Sequence, residues 1–143
     1  MSFIPQYGKA GSYMRGNKRS PDNPAEWIAR AKSSLTLSST KTPGVLYEDL
    51  CFQVQQAAEK ALKAVFVSRK IPNPYTHDIN ALLSGLEQHG ITIPEPLWRA
   101  VTLTSYASDT RYPGTTSPVT KEEYALAVRL AQDVLLWAEE QVG

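Results

Sequence analysis

The sequence has little of several features that would place a protein in a well-marked functional class. Its 143 residues include one cysteine, Cys51, so an internal disulfide framework is excluded and a reducing compartment, by default the cytoplasm, is expected. No stretch approaches the roughly 20 apolar residues of a membrane span. The amino terminus also lacks the apolar run of about 7 to 15 residues that marks a signal peptide. These absences predict a cytoplasmic protein without a membrane segment.

Charge of either sign is also scarce. The formal net charge is +1 and charged residues make up 20% of the chain, which is too little to hold nucleic acid by charge alone. Residues 1–22 contain four cations and one acid, a net charge of +3, which leaves −2 for the remainder. Residues 1–22 mix Gly, Ser and Pro without a lasting apolar period, so they cannot offset the entropy of becoming ordered. We therefore predict a flexible basic extension over residues 1–22 and one folded domain over residues 23–143.

Helical periodicity dominates the chain after residue 22. The clearest segment is predicted to run from about Leu46 to Arg69 and to end before Pro72, because proline cannot donate to a helical ladder. We expect this long helix to bury one stripe of its surface. The stripe consists of Leu50, Val54, Ala57, Ala58, Ala61 and Val65.

Capping and helix-breaking residues predict the remaining boundaries. A fourth helix is expected to place Leu97, Val101 and Thr104 or Ser105 on one side. The sequence shows no alternating apolar pattern long enough to predict a strand. Several short helices with short connections are typical of an all-α, antiparallel up-and-down bundle of four to five helices. The expected helix starts are Asn23, Thr76 to Asp78, Pro94 and the capping box of Thr120 with Glu123, and the expected ends include Pro43-Gly44 and His89-Gly90.

The ordered set of motifs resembles the HEPN superfamily over residues 23–143. It consists of an opening helix with Trp27 and Ala31, then "CFQVQQAAEKALKAVF", "THDI", and "RYP" at residues 111–113. The resemblance implies a helical bundle that forms a homodimer and is often encoded beside a minimal nucleotidyltransferase, as a toxin-antitoxin or related two-component system. Many members of the superfamily are ribonucleases that need no metal.

The ribonuclease motif of the superfamily is an arginine and a histidine separated by four to six residues. Arginine can stabilise charge on phosphate while histidine moves a proton near neutral pH. In this sequence Arg69 precedes His77 with seven residues between them, and two of those residues are prolines. The usual catalytic pair is therefore absent, which favours a protein that is not an enzyme.

The residues of chemical interest allow two interpretations each. Glu59, Lys60 and Lys63 could form a solvated face with a favourable Glu59–Lys63 pair, or the lysines could join Arg111 in an anion-binding groove. His77 could bond locally at the start of its helix or contact a nucleotide. No metal site or cofactor is predicted. The candidate ligand-binding residues are Lys60, Lys63, His77, Asp78, Arg111 and Tyr112.

Three functions remain open on the sequence. The first is a non-enzymatic HEPN partner that dimerises and binds a minimal nucleotidyltransferase, with nucleotide or RNA as further ligands. The second is a divergent ribonuclease in which His77 and Arg111 meet in space although not in sequence. The third is a stand-alone nucleotide-binding sensor.

Overall fold

The computed structural model describes residues 19–40, 42–108, 113–114 and 117–143. These residues form five helical elements and no strand, which confirms the predicted all-α bundle. Asn23, Asp78 and Thr120 cap three of the helices, as the sequence predicts. The elements are α1 (Pro24–Ser38), α2 (Tyr47–Ser68), α3 (Ile79–Gln88), a 3-10 helix (Glu95–Ala107) and α4 (Lys121–Val142).

Helix α2 lies at the centre of the bundle and packs against all four other elements. The prediction that it buries a single stripe is wrong, because residues 57–59 and 61–66 are all buried, which covers every side of the helix. Alanines at positions 57, 58, 61 and 64 let the neighbouring helices approach closely, while Leu62, Val65 and Phe66 supply the large apolar side chains. As a consequence, polar residues of α2 that a single buried stripe would leave exposed are enclosed by the other helices.

The fourth predicted helix is a 3-10 helix over its whole length from Glu95 to Ala107. Its buried residues are Leu97, Ala100 and Leu103, which recur every three residues. A 3-10 helix has three residues per turn, so these side chains share one face, whereas an α-helix would bring Leu97 and Val101 together. The predicted face is therefore wrong beyond Leu97, because the helix is wound more tightly than the sequence pattern assumed.

The carboxyl ends of α2 and α3 are built in the same way. In each, a residue with positive φ follows the cap, Lys70 at 58° and Gly90 at 87°. The amide of the following residue then bonds to a carbonyl five residues earlier, at 3.0 Å after α2 and at 3.1 Å after α3. This is the Schellman motif, which satisfies carbonyls that would otherwise be left open at a helix end.

The predicted division at residue 22 stays a prediction, since residues 1–18 lie outside the described part of the chain. Residues 19–22 lead into α1, and the indole Nε1 of Trp27 donates to the carbonyl of Pro21 at 2.8 Å. None of the described helices is both long enough and apolar enough to cross a membrane.

Candidate functional site

His77 stands at the end of the loop between α2 and α3, and both its ring and its backbone are bound to α2. Its Nδ1 lies 2.9 Å from Oε1 of Glu59, and its carbonyl accepts a hydrogen bond from Nε2 of Gln55 at 3.2 Å. The side chain nevertheless remains 72% exposed. The histidine is thus fixed on one side by the bundle and open to solvent on the other.

Glu59 is the centre of a polar cluster enclosed by the bundle and is only 4% exposed. Its carboxylate accepts hydrogen bonds from Nζ of Lys63 at 2.9 Å and from Nε2 of Gln55 at 3.0 Å, besides its contact with His77. Burial by itself would raise the pKa of Glu59, but the bonds from Lys63, His77 and Gln55 outweigh it and hold the pKa below its ordinary value. The carboxylate is therefore ionised at neutral pH.

The ionised carboxylate decides which ring nitrogen of His77 carries the proton. A carboxylate only accepts hydrogen bonds, so Nδ1 of His77 must donate to Glu59. In the neutral ring this leaves Nε2 without a proton, able to accept a hydrogen bond or to take a proton from a bound group. Glu59 therefore orients the imidazole and fixes its tautomer, as carboxylates do for histidines that act on ligands.

The two candidate lysines of α2 are bound to different partners. Lys63 is 8% exposed and pairs with Glu59, so the predicted Glu59–Lys63 pair is confirmed, but the interpretation of these two residues as a solvated face is wrong. Lys60 is half-buried and donates to the hydroxyl of Ser34 on α1 at 3.0 Å. Burial and the nearby charge of Arg30 lower the pKa of Lys60.

The segment that carries His77 is held at several points. The amide of Asp78 donates to Oγ1 of Thr76 at 3.1 Å, and the amide of Ile79 donates to Oγ1 of Thr104 in the 3-10 helix at 3.1 Å. The Asp78 carboxylate caps α3 by accepting from the amide of Asn80 at 2.9 Å. Asp78 thus has a structural role at this helix start, while its role in ligand binding stays a prediction.

Of the two arginines considered with His77 in the sequence, one lies outside the described part of the chain and the other is bonded elsewhere. Arg111 and Tyr112 lie outside the described part of the chain, so their predicted roles stay predictions. Arg69 follows α2 ten residues after Glu59, about 15 Å along the helix axis. Its Nη2 donates to Oε1 of Gln141 at 2.8 Å. Arg69 and His77, the pair that comes nearest to the ribonuclease motif in the sequence, are therefore separated in space.

The cysteine and the second histidine of the chain have contacts that serve the fold. Cys51 is fully buried, and burial, with smaller effects from Glu48 and Glu123, raises the pKa of its thiol to about 12. His89 caps the end of α3, where its Nδ1 lies 2.8 Å from the carbonyl of Gly85. Within the described ranges, no group of three or more His, Cys, Asp or Glu side chains is arranged to hold a metal ion.

Sequence reasoning missed the buried carboxylate as the partner of His77. The signal that could have found it is the spacing of Gln55, Glu59 and Lys63. Residues four apart lie on one face of a helix, and here three polar residues recur at that spacing within an alanine-rich segment. Such a row shows that the three side chains can contact one another, although it does not show that the other helices enclose them.

Comparisons with known proteins define the class and then the family. The all-α bundle is shared with solved structures. TT1696 from Thermus thermophilus has 32% identity and a TM-score of 0.74 over 82% of this chain and 97% of that chain. ST0689, an archaeal HEPN homologue, has 26% identity and a TM-score of 0.68 over 85% of this chain and 98% of that chain.

The profile of the HEPN domain matches residues 24–141. The chain therefore belongs to the HEPN domain family, as the motifs of the sequence predict. No curated protein is matched.

Proposed function

We propose that this protein is the HEPN partner in a toxin-antitoxin or related two-component system, and that it binds a minimal nucleotidyltransferase through the surface around His77. The observation that carries the proposal is the exposed His77 ring, whose Nδ1 is held by buried Glu59. An ordered side chain loses little freedom when it binds, so a ring held in this way is prepared for a contact. Tyr75, two residues earlier, is also fully exposed.

The first measurement is an affinity purification of the tagged chain from its native cell, followed by mass spectrometry of the intact complex. We expect a nucleotidyltransferase to be recovered in fixed stoichiometry. We also expect His77→Ala or Tyr75→Ala to reduce this recovery at least about tenfold, which corresponds to a loss of roughly 1.4 kcal/mol of binding free energy. Glu87→Ala, at an exposed position near the carboxyl end of α3, is the control. A complex that forms equally well with all three variants would refute the proposed surface.

The protein is further proposed to act as a homodimer. Large apolar side chains remain exposed on α1, on the connection to α2 and on α4, and symmetric self-association would cover part of this surface. These side chains are Leu37, Val45, Leu46, Leu126 and Leu136. Sedimentation at micromolar concentration should give twice the 15.8 kDa mass of the chain, and a folded monomer throughout the range would contradict the dimer.

One observation favours a second function, that of a divergent ribonuclease. Nε2 of His77 can take a proton because Glu59 holds the other nitrogen, which is the arrangement of an oriented general base. In that case His77→Ala and Arg111→Ala should abolish RNA cleavage by nuclease-free protein. Equal cleavage by wild type and His77→Ala would refute the role of His77 as a general base, and no cleavage by the wild type would favour the partner function.

A further inference from the structure

A cavity of about 630 Å³ lies between the segment that leads into α1 and the loop that follows α2. Its volume is within the range of small-molecule sites, which span about 300 to 1,000 Å³. The residues that line it include neither Glu59 nor His77. Its polar lining consists of Asp22 from the first segment, and of Lys70 and Asn73 from the second.

Hydrogen bonds hold both walls of this cavity in place. On one wall, the carbonyl of Pro21 accepts a hydrogen bond from the indole Nε1 of Trp27 at 2.8 Å. On the other wall, the amide of Ile71 donates to the carbonyl of Phe66 at 3.0 Å, which closes the Schellman motif of α2. A site whose walls are fixed before binding loses little conformational freedom when a ligand enters.

The cavity contains one anion and one cation, the exposed side chains of Asp22 and Lys70. Within the described part of the chain, neither side chain forms an ion pair, either with the other or with a third residue. Lys70 also has a positive φ of 58°, whereas the corresponding position after α3 is Gly90. A side chain at positive φ is strained because Cβ approaches the following carbonyl oxygen. The helix end alone favours glycine, so the lysine indicates a contact made by its side chain.

The balance of charge restricts the class of ligand. A ligand with a single charge would bring that charge near one side chain of like sign, which is unfavourable. A ligand with both an ammonium group and a carboxylate can pair with Asp22 and Lys70 at once through charge-assisted hydrogen bonds. The side-chain amide of Asn73 can donate or accept, so it suits either group. The remaining lining is apolar and suits an aliphatic group; it consists of Pro21, Val67, Ile71 and Pro72.

We propose that this cavity binds a small zwitterion with an aliphatic side chain, the chemistry shared by apolar α-amino acids and short apolar peptides. Asp22 accepts hydrogen bonds from the ammonium group, Lys70 donates to the carboxylate, and the apolar residues contact the side chain. The site goes beyond the proposed partner function. In the alternative, Asp22 and Lys70 only offset the dipoles at the amino end of α1 and the carboxyl end of α2.

Isothermal titration of the full chain tests the proposal with leucine, leucyl-leucine and two analogues of leucine that each lack one charge. Isocaproate lacks the ammonium group, and isoamylamine lacks the carboxylate. We expect leucine or leucyl-leucine to bind at least about tenfold more tightly than either analogue. Leucyl-leucine carries the same two charges farther apart, so the tighter zwitterion identifies the source as a free amino acid or a short peptide. The absence of zwitterion binding would overturn the proposal, as would an analogue that binds as tightly.

Two variants assign the two charges of the ligand. Asp22→Asn should weaken zwitterion binding about tenfold and remove the preference for leucine over isocaproate. Lys70→Gly should weaken it by a similar factor and remove the preference for leucine over isoamylamine. The controls, Asp133→Asn and Lys121→Ala, remove equal charges from exposed positions of α4 and should bind like the wild type. Zwitterion binding that Asp22→Asn and Lys70→Gly leave unchanged would overturn the proposal.

Lys70→Gly also separates binding from folding. Glycine relieves the strain at positive φ, so this variant should melt at least as high as the wild type without ligand. A lower melting temperature together with unchanged zwitterion binding would identify the helix-dipole role instead. Both variants should still be recovered with the nucleotidyltransferase, so failure of zwitterion binding leaves the partner function intact, and failure of the partner complex leaves this site intact.

Discussion

The buried carboxylate of Glu59 gives the sharpest test of how this bundle is stabilised. Replacing it in Glu59→Gln keeps the size of the side chain but removes the charge that compensates Lys63, whose side chain is only 10% exposed. Removing one partner of a buried ion pair costs about 3 to 5 kcal/mol, since the other charge is left without compensation. The new amide oxygen can still accept one hydrogen bond, so we expect the lower value, about 3 kcal/mol.

The chain contains a matched control for this substitution. Glu26 and Arg30 form the same i,i+4 arrangement on α1, but their side chains are 18% and 56% exposed. Glu26→Gln should therefore lower the free energy of unfolding by no more than about 0.5 kcal/mol. Urea unfolding at pH 7 and 25 °C measures the free energy of unfolding of both variants. An unchanged slope of this free energy against urea concentration indicates that the variants still unfold in two states.

A double variant separates the ion pair from the other contacts of Glu59. Glu59→Gln combined with Lys63→Met removes both charges, and we expect it to recover at least about 1 kcal/mol relative to Glu59→Gln alone. Equal destabilisation by Glu59→Gln and Glu26→Gln would refute the role assigned to burial. A double variant less stable than either single variant would show that the two charges are not coupled in this way.

Three further predictions rest on single features. Folding lowers the pKa of Glu59, so the stabilisation from its ionised form is complete above the unfolded pKa of about 4.3 and is lost as the pH falls through the lower folded pKa. Urea unfolding should therefore show that, below about pH 5, the free energy of unfolding falls more steeply with pH for the wild type than for Glu59→Gln. The Cys51 thiol, buried and with its pKa raised to about 12, should react with a thiol reagent at pH 8 only at the rate at which the protein opens. Gly90→Ala should destabilise the fold by about 1 kcal/mol, because φ there is 87°, and thermal unfolding measures this.

Each of these has a clear contrary outcome. Parallel pH profiles for wild type and Glu59→Gln would mean that the carboxylate does not account for the acid sensitivity. Labelling of Cys51 as fast as that of a free thiol would mean that the thiol is accessible. Unchanged stability of Gly90→Ala would mean that a positive φ at this helix end does not require glycine.

The sequence by itself determined the helical class of the fold, most helix boundaries and the family. Local features decide these, because capping residues satisfy open amides within one turn and proline is tolerated in the first turn of a helix but not in its interior. Asn23, Asp78 and Thr120 cap as their sequence positions predict. The helical period also located α2, although it did not show that the other helices surround it.

Only the tertiary structure decided which side chains form the candidate site. Glu59 and His77 are 18 residues apart and separated by the proline-containing loop, so no helical spacing connects them. Burial of the Glu59–Lys63 pair depends on α2 being enclosed by its neighbours, which the residue pattern of a single helix does not contain. Packing therefore converts what the sequence alone predicts as a surface ion pair into an internal cluster, and the low dielectric of that interior strengthens the bond that fixes the exposed ring of His77.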